Sequence, residues 1–317
     1  MPKSFRYLSF IFLFFFLGLT GCAKEVVTNQ SQIEQKLKIY ATIYPVYDFT
    51  KKIGGDLVEV NQIVPRDADA HSFEPSAKLL TNLAHADLVI YNGANMEPWI
   101  PKVMKALEKE QVTFINASEN VTLLKLGEDS SQHGFETAHE HYGVDPHIWL
   151  SPKNAVSQSR TICNALIAID EEQADYYRNN FTQLVKELEK LDREYRLTLQ
   201  NSRRKEFIVA HDAFGYLAKE YGLKQIPIRG LTAEVEPSPT KIREIITLAR
   251  KYGLKYVFFE SQTVPKISEA IAQELGIQTL ELNPLGNLTA AEIMAGEDYF
   301  SIMRTNLANL KTALNEE

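Results

Sequence analysis

Three histidines stand at positions from which their side chains could meet around a metal ion. His71 lies in a polar loop with no apolar periodicity that would bury it. His147 follows Asp145-Pro146, and the proline restricts the backbone just before this imidazole. His211 ends an apolar, strand-like run, where an imidazole has no packing reason to be. Imidazole nitrogen suits Zn²⁺, so the three side chains together indicate a zinc site.

Three imidazoles with an open fourth position also describe catalytic zinc. An enzyme would need a general base placed by a motif, and His139-Glu140-His141 is too short for the helical His-Glu-x-x-His arrangement. The sequence contains no Gly-x-Ser-x-Gly, Walker or dinucleotide-binding fingerprint. We therefore expect a binding protein rather than an enzyme.

Short strand-like runs alternate with helical patterns in both halves of the chain, which is typical of α/β folds with mostly parallel sheets. In such folds, ligands bind beyond the carboxyl ends of the strands, where His71 and His211 are expected. One continuous last helix is predicted over Ala290–Ala313. The predicted strands are Leu37–Ile43, Leu57–Val64, Asp87–Tyr91, Val112–Asn116, Phe207–His211, Gln225–Ile228, Tyr256–Glu260 and Gln278–Leu282.

One long amphipathic helix separates the two halves. From Glu171 to about Gln200 there is no Gly or Pro, and apolar residues recur at steps of three and four. A helix of about 30 residues is about 45 Å long, more than the width of a small domain. We predict an N-terminal lobe at 37–170, a linking helix at 171–202 that packs along both lobes, and a C-terminal lobe at 203–317.

The first 21 residues have the pattern of a secretion signal. Lys3 and Arg6 precede an apolar stretch, which closes with Leu-Thr-Gly before Cys22. A cysteine after Leu-x-Gly resembles the bacterial lipobox, which implies that Cys22 is lipidated and that 22–36 is a tether to the extracytoplasmic face of the cell membrane. The alternative is an uncleaved signal anchor.

The composition excludes some classes of partner. The net charge of −7 argues against a nucleic-acid-binding protein, which would carry a basic stripe. Cys163 is the only cysteine besides Cys22, so an exported chain has no internal disulfide and depends on its apolar core. We expect a monomer.

Five motifs make the chain recognisable. They are His-Ser-Phe-Glu-Pro-Ser, Asp-Pro-His-Ile-Trp-Leu-Ser-Pro, Ala-His-Asp-Ala-Phe-Gly-Tyr, Glu-Val-Glu-Pro-Ser-Pro and Leu-Asn-Pro-Leu. From about Leu37 to the C-terminus the chain resembles the metal-binding receptors of bacterial ABC importers for zinc and manganese. The resemblance implies two α/β lobes joined by a rigid helix, with metal in the cleft bound by His71 and His147 from the first lobe and His211 from the second. It also implies an ABC permease and its ATPase as partners.

Zinc is the expected cargo, because manganese members of the family carry a carboxylate where His211 stands, and Mn²⁺ prefers oxygen. The fourth ligand is less defined, since Gly286 stands where some zinc members have Glu. We expect water, with Glu281 or a loop histidine as alternatives. A manganese receptor and a metal-dependent adhesin are the alternative functions.

An acidic, histidine-bearing loop runs from Gly127 to Gly143, with His133, His139 and His141. Zinc-specific members of the family have a similar insertion, which suggests weak accessory zinc capture. An ordinary solvated surface loop is the other interpretation, and both stay open. His85 lies within a predicted helix, and we expect it on the helix surface.

Overall fold

The computed structural model describes residues 36–66, 68–125, 143–231, 236–261 and 265–316. The signal sequence with Cys22, and the loop histidines His133, His139 and His141, lie outside these ranges. Within the described part of the chain, no helix combines the length and the apolar character needed to cross a membrane.

Two four-stranded parallel sheets form the framework. The first lobe contains β1–β4 in the order β2-β1-β3-β4, and the second contains β5–β8 in the order β6-β5-β7-β8. All pairings between these strands are parallel, which confirms the predicted fold class. The strands are β1 Leu37–Ala41, β2 Val58–Gln62, β3 Leu88–Tyr91, β4 Thr113–Asn116, β5 Glu206–Val209, β6 Lys224–Pro227, β7 Tyr256–Phe259 and β8 Gln278–Glu281.

Helices fill the connections between strands, and their ends follow local sequence signals. Ser151 accepts a hydrogen bond from the Asn154 N–H, and the helix that follows the His147 segment begins at Pro152, which suits the first helical position. The helices are α1 Tyr44–Gly54, α2 Ala77–Leu83, α3 Ile100–Ala106, α4 Pro152–Ile169, α5 Ala174–Leu199, α6 Gly215–Tyr221, α7 Pro239–Tyr252, α8 Lys266–Leu275, α9 Ala290–Met294 and α10 Tyr299–Asn315.

The single helix predicted over Ala290–Ala313 is wrong, because the structure divides it into α9 and α10. Gly296 has a positive φ of 75°, which a helix does not accommodate. Asp298 then begins α10 with a capping box, in which its side chain accepts from the backbone N–H of Ser301. The helical periodicity continues across this break, but the cap determines where the new helix starts.

The long helix α5 packs along both lobes. Its 26 residues bury an apolar face that includes Leu184, Leu188 and Leu191. Near its start, the Asn180 side chain donates to the Ile53 carbonyl oxygen in the first lobe at 3.0 Å. Near its end, the Tyr195 hydroxyl donates to the Met303 carbonyl oxygen in the second lobe at 2.6 Å. The predicted linking helix is therefore anchored at both ends.

The lobes also contact each other directly beside the cleft. The Trp149 indole N–H donates to the Pro284 carbonyl oxygen at 2.8 Å, and the Tyr299 hydroxyl donates to the Trp149 carbonyl oxygen at 2.6 Å. Lys52 on α1 lies between the carboxylates of Asp48, at 2.5 Å, and Asp298 of the second lobe, at 3.0 Å. These contacts hold the two lobes against each other.

Replacing Lys52 with methionine is expected to lower the free energy of unfolding by about 2 kcal/mol. The change leaves the buried Asp48 carboxylate without its cation, and an unpaired buried charge is strongly destabilising. Burial already raises the pKa of Asp48, so the carboxylate can take up a proton, which offsets part of this cost. Denaturant titration measures the difference. Lys51→Met is the matched control on the exposed side of the same helix and should change stability by less than about 0.5 kcal/mol. Equal effects of the two substitutions would contradict this role for Lys52.

Candidate metal centre

His147 is held in place by its own segment. Asp145 accepts hydrogen bonds at 2.9 Å through one carboxylate oxygen, both from the His147 backbone N–H and from its ring Nδ1. The Asn92 side chain donates to the Pro146 carbonyl oxygen at 3.0 Å and fixes the intervening peptide. With Nδ1 donating to a carboxylate, Nε2 is left to act as a ligand.

His211 lies two residues beyond the end of β5, and its ring is oriented by Glu260, which directly follows β7. The Nδ1 of His211 lies 2.5 Å from the Glu260 carboxylate. Burial disfavours a charged imidazole here, but the attraction and hydrogen bond from Glu260 outweigh it and raise the pKa of His211 above its ordinary value. Ligating imidazoles usually donate their second ring N–H to a carboxylate or a carbonyl, and Glu260 is that acceptor for His211.

His71 comes from the loop after β2, where Asp69 accepts a hydrogen bond from the His71 backbone N–H at 2.8 Å. Burial, followed by the proximity of His147, lowers the pKa of His71 to about 4. Burial and the proximity of His211 likewise hold the pKa of His147 well below its ordinary value. Both imidazoles are therefore neutral near pH 7, which is the form that binds metal.

The three imidazoles converge. The Nε2 atom of His147 lies 3.3 Å from the Nε2 atoms of both His71 and His211, and the three ligand atoms are all within 4.8 Å of one another. Nitrogen ligands placed tetrahedrally at 2.0–2.1 Å from Zn²⁺ are about 3.3 Å apart. The two separations that involve His147 thus match the edges of a tetrahedral zinc site. His85, by contrast, is exposed in the turn after α2.

These side chains open onto a cavity of about 530 Å³ between the lobes. Its wall includes Trp149 and Met96 from the first lobe and Asn283 and Gly286 from the second, with Arg66 at the exposed rim. One water takes about 30 Å³, so the cavity has room for a water molecule beside an ion.

The structure does not bring Glu281 to the histidines. Glu281 is not among the residues that line the cavity, and its carboxylate accepts a hydrogen bond from Ser261 and lies near Glu292. Within the described residues, the cluster of candidate ligands consists of the three histidines alone. Glu236 of the same lobe pairs with Arg229 at 3.4 Å.

No role for Asp145 or Asn92 was predicted from the sequence. An aspartate two residues before a histidine, with proline between them, is a local signal that could have revealed the Asp145 contact, because such a short side chain reaches the backbone N–H two residues on. Asn92 precedes Pro146 by 54 residues, and no local signal links the two.

Two parallel α/β lobes facing each other across a cavity, with one helix anchored to both, define a two-lobed solute-binding protein. The family model described as "Zinc-uptake complex component A periplasmic" matches residues 39–313. The chain belongs to this family.

Similar proteins agree with this assignment. The chain is 36% identical over 301 residues to the high-affinity zinc uptake system protein ZnuA of Bacillus subtilis, covering 94% of each chain. It is also 36% identical over 301 residues to the zinc-binding lipoprotein AdcA of Streptococcus pneumoniae, where the match covers 93% of this chain but spans only 60% of that protein. The crystal structure of the Zn(II)-bound ZnuA-like domain of AdcA has a TM-score of 0.76 and 34% identity, covering 89% of this chain and all of that domain.

Proposed function

We propose that the chain is an extracytoplasmic receptor that binds Zn²⁺ in the cleft between its lobes and delivers it to an ABC importer. His71 and His147 of the first lobe and His211 of the second would bind the ion, with water as the fourth ligand. The observation that supports this most directly is the 3.3 Å distance from the Nε2 atom of His147 to the Nε2 atoms of both other histidines, which suits tetrahedral zinc.

The surroundings of the histidines suit capture of a cation. Carboxylates that accept the Nδ1 protons of His147 and His211 fix the rings and increase the basicity of Nε2. Because ligands come from both lobes, a small hinge motion would separate His211 from the other two and weaken binding. The family is described as a component of an uptake complex, and such a complex requires release as well as capture.

Metal competition tests the proposal. The purified protein, stripped with a chelator, is incubated with equal amounts of zinc and manganese, desalted and examined by elemental analysis. We expect one zinc per chain and no retained manganese. Retained manganese would favour the manganese receptor, and the absence of both metals would contradict the proposal. More than one zinc would support accessory binding by His133, His139 and His141.

The remaining assignments are part of the same proposal. Cys22 would carry the lipid and 22–36 would tether the lobes, which we place at 37–170 and 203–317 around a linker at 171–202. Related proteins include lipoproteins and zinc-uptake proteins, which supports a membrane-anchored receptor with a permease and an ATPase as partners. Mass spectrometry of the native protein should find acyl chains on Cys22. Solid-phase binding to matrix proteins, with and without zinc, tests the adhesin alternative.

A further inference from the structure

Tyr216 belongs to α6 of the second lobe, but its hydroxyl reaches the first lobe. It donates to the Asp145 carbonyl oxygen at 2.8 Å and accepts from the Leu124 backbone N–H at 3.0 Å. The side chain is buried, and burial raises the pKa of Tyr216 to about 12, so the hydroxyl keeps its proton at physiological pH. One buried group therefore ties two separate backbone segments of the first lobe to the second lobe.

Those two segments are paired with each other. The Asp145 backbone N–H donates to the Leu124 carbonyl oxygen at 2.9 Å, and Lys125 and Val144 form an antiparallel bridge. The Tyr216 hydroxyl completes this pairing by bonding to the other polar group of each residue, the Asp145 carbonyl and the Leu124 N–H. The contact thus lies where the chain enters and leaves the histidine-bearing stretch 126–142.

The hydrogen bonds of the Tyr216 hydroxyl lie next to the metal centre. Asp145 orients the His147 ring through one carboxylate oxygen. Its other oxygen lies against Gly215, where a Cβ atom would stand 2.5 Å from it. The first two residues of α6 therefore restrain Asp145 twice, because Tyr216 binds its carbonyl and Gly215 limits the position of its carboxylate.

We propose that Tyr216 is a positioning residue, which couples contact between the lobes to the orientation of the His147 imidazole through Asp145. This inference rests on the proposed function, since it concerns the same zinc site. The hydrogen bond crosses between lobes, so their separation breaks it and loosens Asp145. His147 is then held less firmly, and the lobe motion that moves His211 away also weakens a ligand of the other lobe. Contact between the lobes and firm placement of the His147 imidazole are therefore gained together when zinc is captured and lost together when it is released.

Tyr216→Phe tests the coupling, because it keeps the ring and removes the hydroxyl. We expect zinc to dissociate about five- to tenfold faster, a smaller effect than the 10- to 100-fold of a direct partner of a ligand. Bound Co²⁺ should report the change in ligand geometry as a shifted visible absorption band. Tyr221→Phe is the matched control on the same helix, since its buried hydroxyl bonds to Asp192 at 3.1 Å, away from the site.

Gly215→Ala provides an independent variant, because its Cβ would displace the Asp145 carboxylate while the Tyr216 hydroxyl remains. It should shift the Co²⁺ band and accelerate zinc release as Tyr216→Phe does. Unchanged zinc release and an unchanged Co²⁺ band in both variants would overturn the coupling, as would equal changes in Tyr221→Phe. If the unaltered protein bound neither metal, the proposed function itself would fail, so the two failures are distinguishable.

Discussion

Replacing His211 with alanine is expected to lower zinc affinity about 100- to 1,000-fold. Structural zinc sites supply about 10–16 kcal/mol from four ligands, so one ligand corresponds to about 2.5–4 kcal/mol. The loss should be specific, because His211 is the only described histidine of the cluster in the second lobe, and without it the ion has no ligand there among the described residues. Competition against a chromophoric zinc chelator measures the change.

His85→Ala is the matched control for this substitution. His85 is an exposed histidine of the same chain, in the turn after α2, and it is outside the cluster. Its replacement should leave zinc affinity and stoichiometry unchanged. A His211→Ala protein that binds zinc within threefold of the unaltered protein would exclude His211 as a ligand and with it the site that spans both lobes.

Glu260→Gln is expected to weaken zinc binding and to reduce its pH dependence at the same time. At pH 8.5 the affinity should fall about 10- to 100-fold, because the amide orients His211 less firmly and makes Nε2 less basic. Glu260 also raises the pKa of His211 above its ordinary value, so the metal-free protein keeps a proton there up to a higher pH than an ordinary histidine does. Zinc must displace this proton, and the affinity of the unaltered protein therefore falls as the pH drops below the pKa of His211.

In the Glu260→Gln variant, burial remains while the attraction to the carboxylate is lost, so the pKa of His211 falls and less proton is released at pH 7. Calorimetry in buffers of different ionisation enthalpy counts the released protons. His71, with a pKa of about 4, contributes little near pH 7. Burial raises the pKa of Asp145 to about 7, and the charge of His211 acts to lower it, so the difference between the two proteins reports on His211 and Asp145 together.

Glu236→Gln is the matched control for this experiment. Glu236 lies in the same lobe, is 73% exposed and pairs with Arg229 at 3.4 Å. It should alter neither the affinity nor the proton count. If Glu260→Gln released as many protons as the unaltered protein, Glu260 would not be the group that raises the pKa of His211.

Much of the fold followed from local patterns. The alternation of strands and helices predicted two parallel sheets, and an uninterrupted amphipathic stretch predicted α5, because both patterns are set by neighbours along the chain. The division between α9 and α10 was missed, since the positive φ of Gly296 and the cap at Asp298 act against a helical periodicity that continues across them. Helix ends depend on single residues more than on periodicity.

The sequence by itself predicted His71, His147 and His211 as ligands, from their loop, proline-corner and strand-end positions and from the motifs that resemble the family, and the structure brings these three side chains together. Only the tertiary structure decided how they are held. Glu260 meets His211 across 49 residues, and Tyr216 meets Asp145 across 71. Such contacts depend on the pairing of β5 with β7 and on the contact of one lobe with the other. Neither of these long-range arrangements produces a periodic pattern in the sequence.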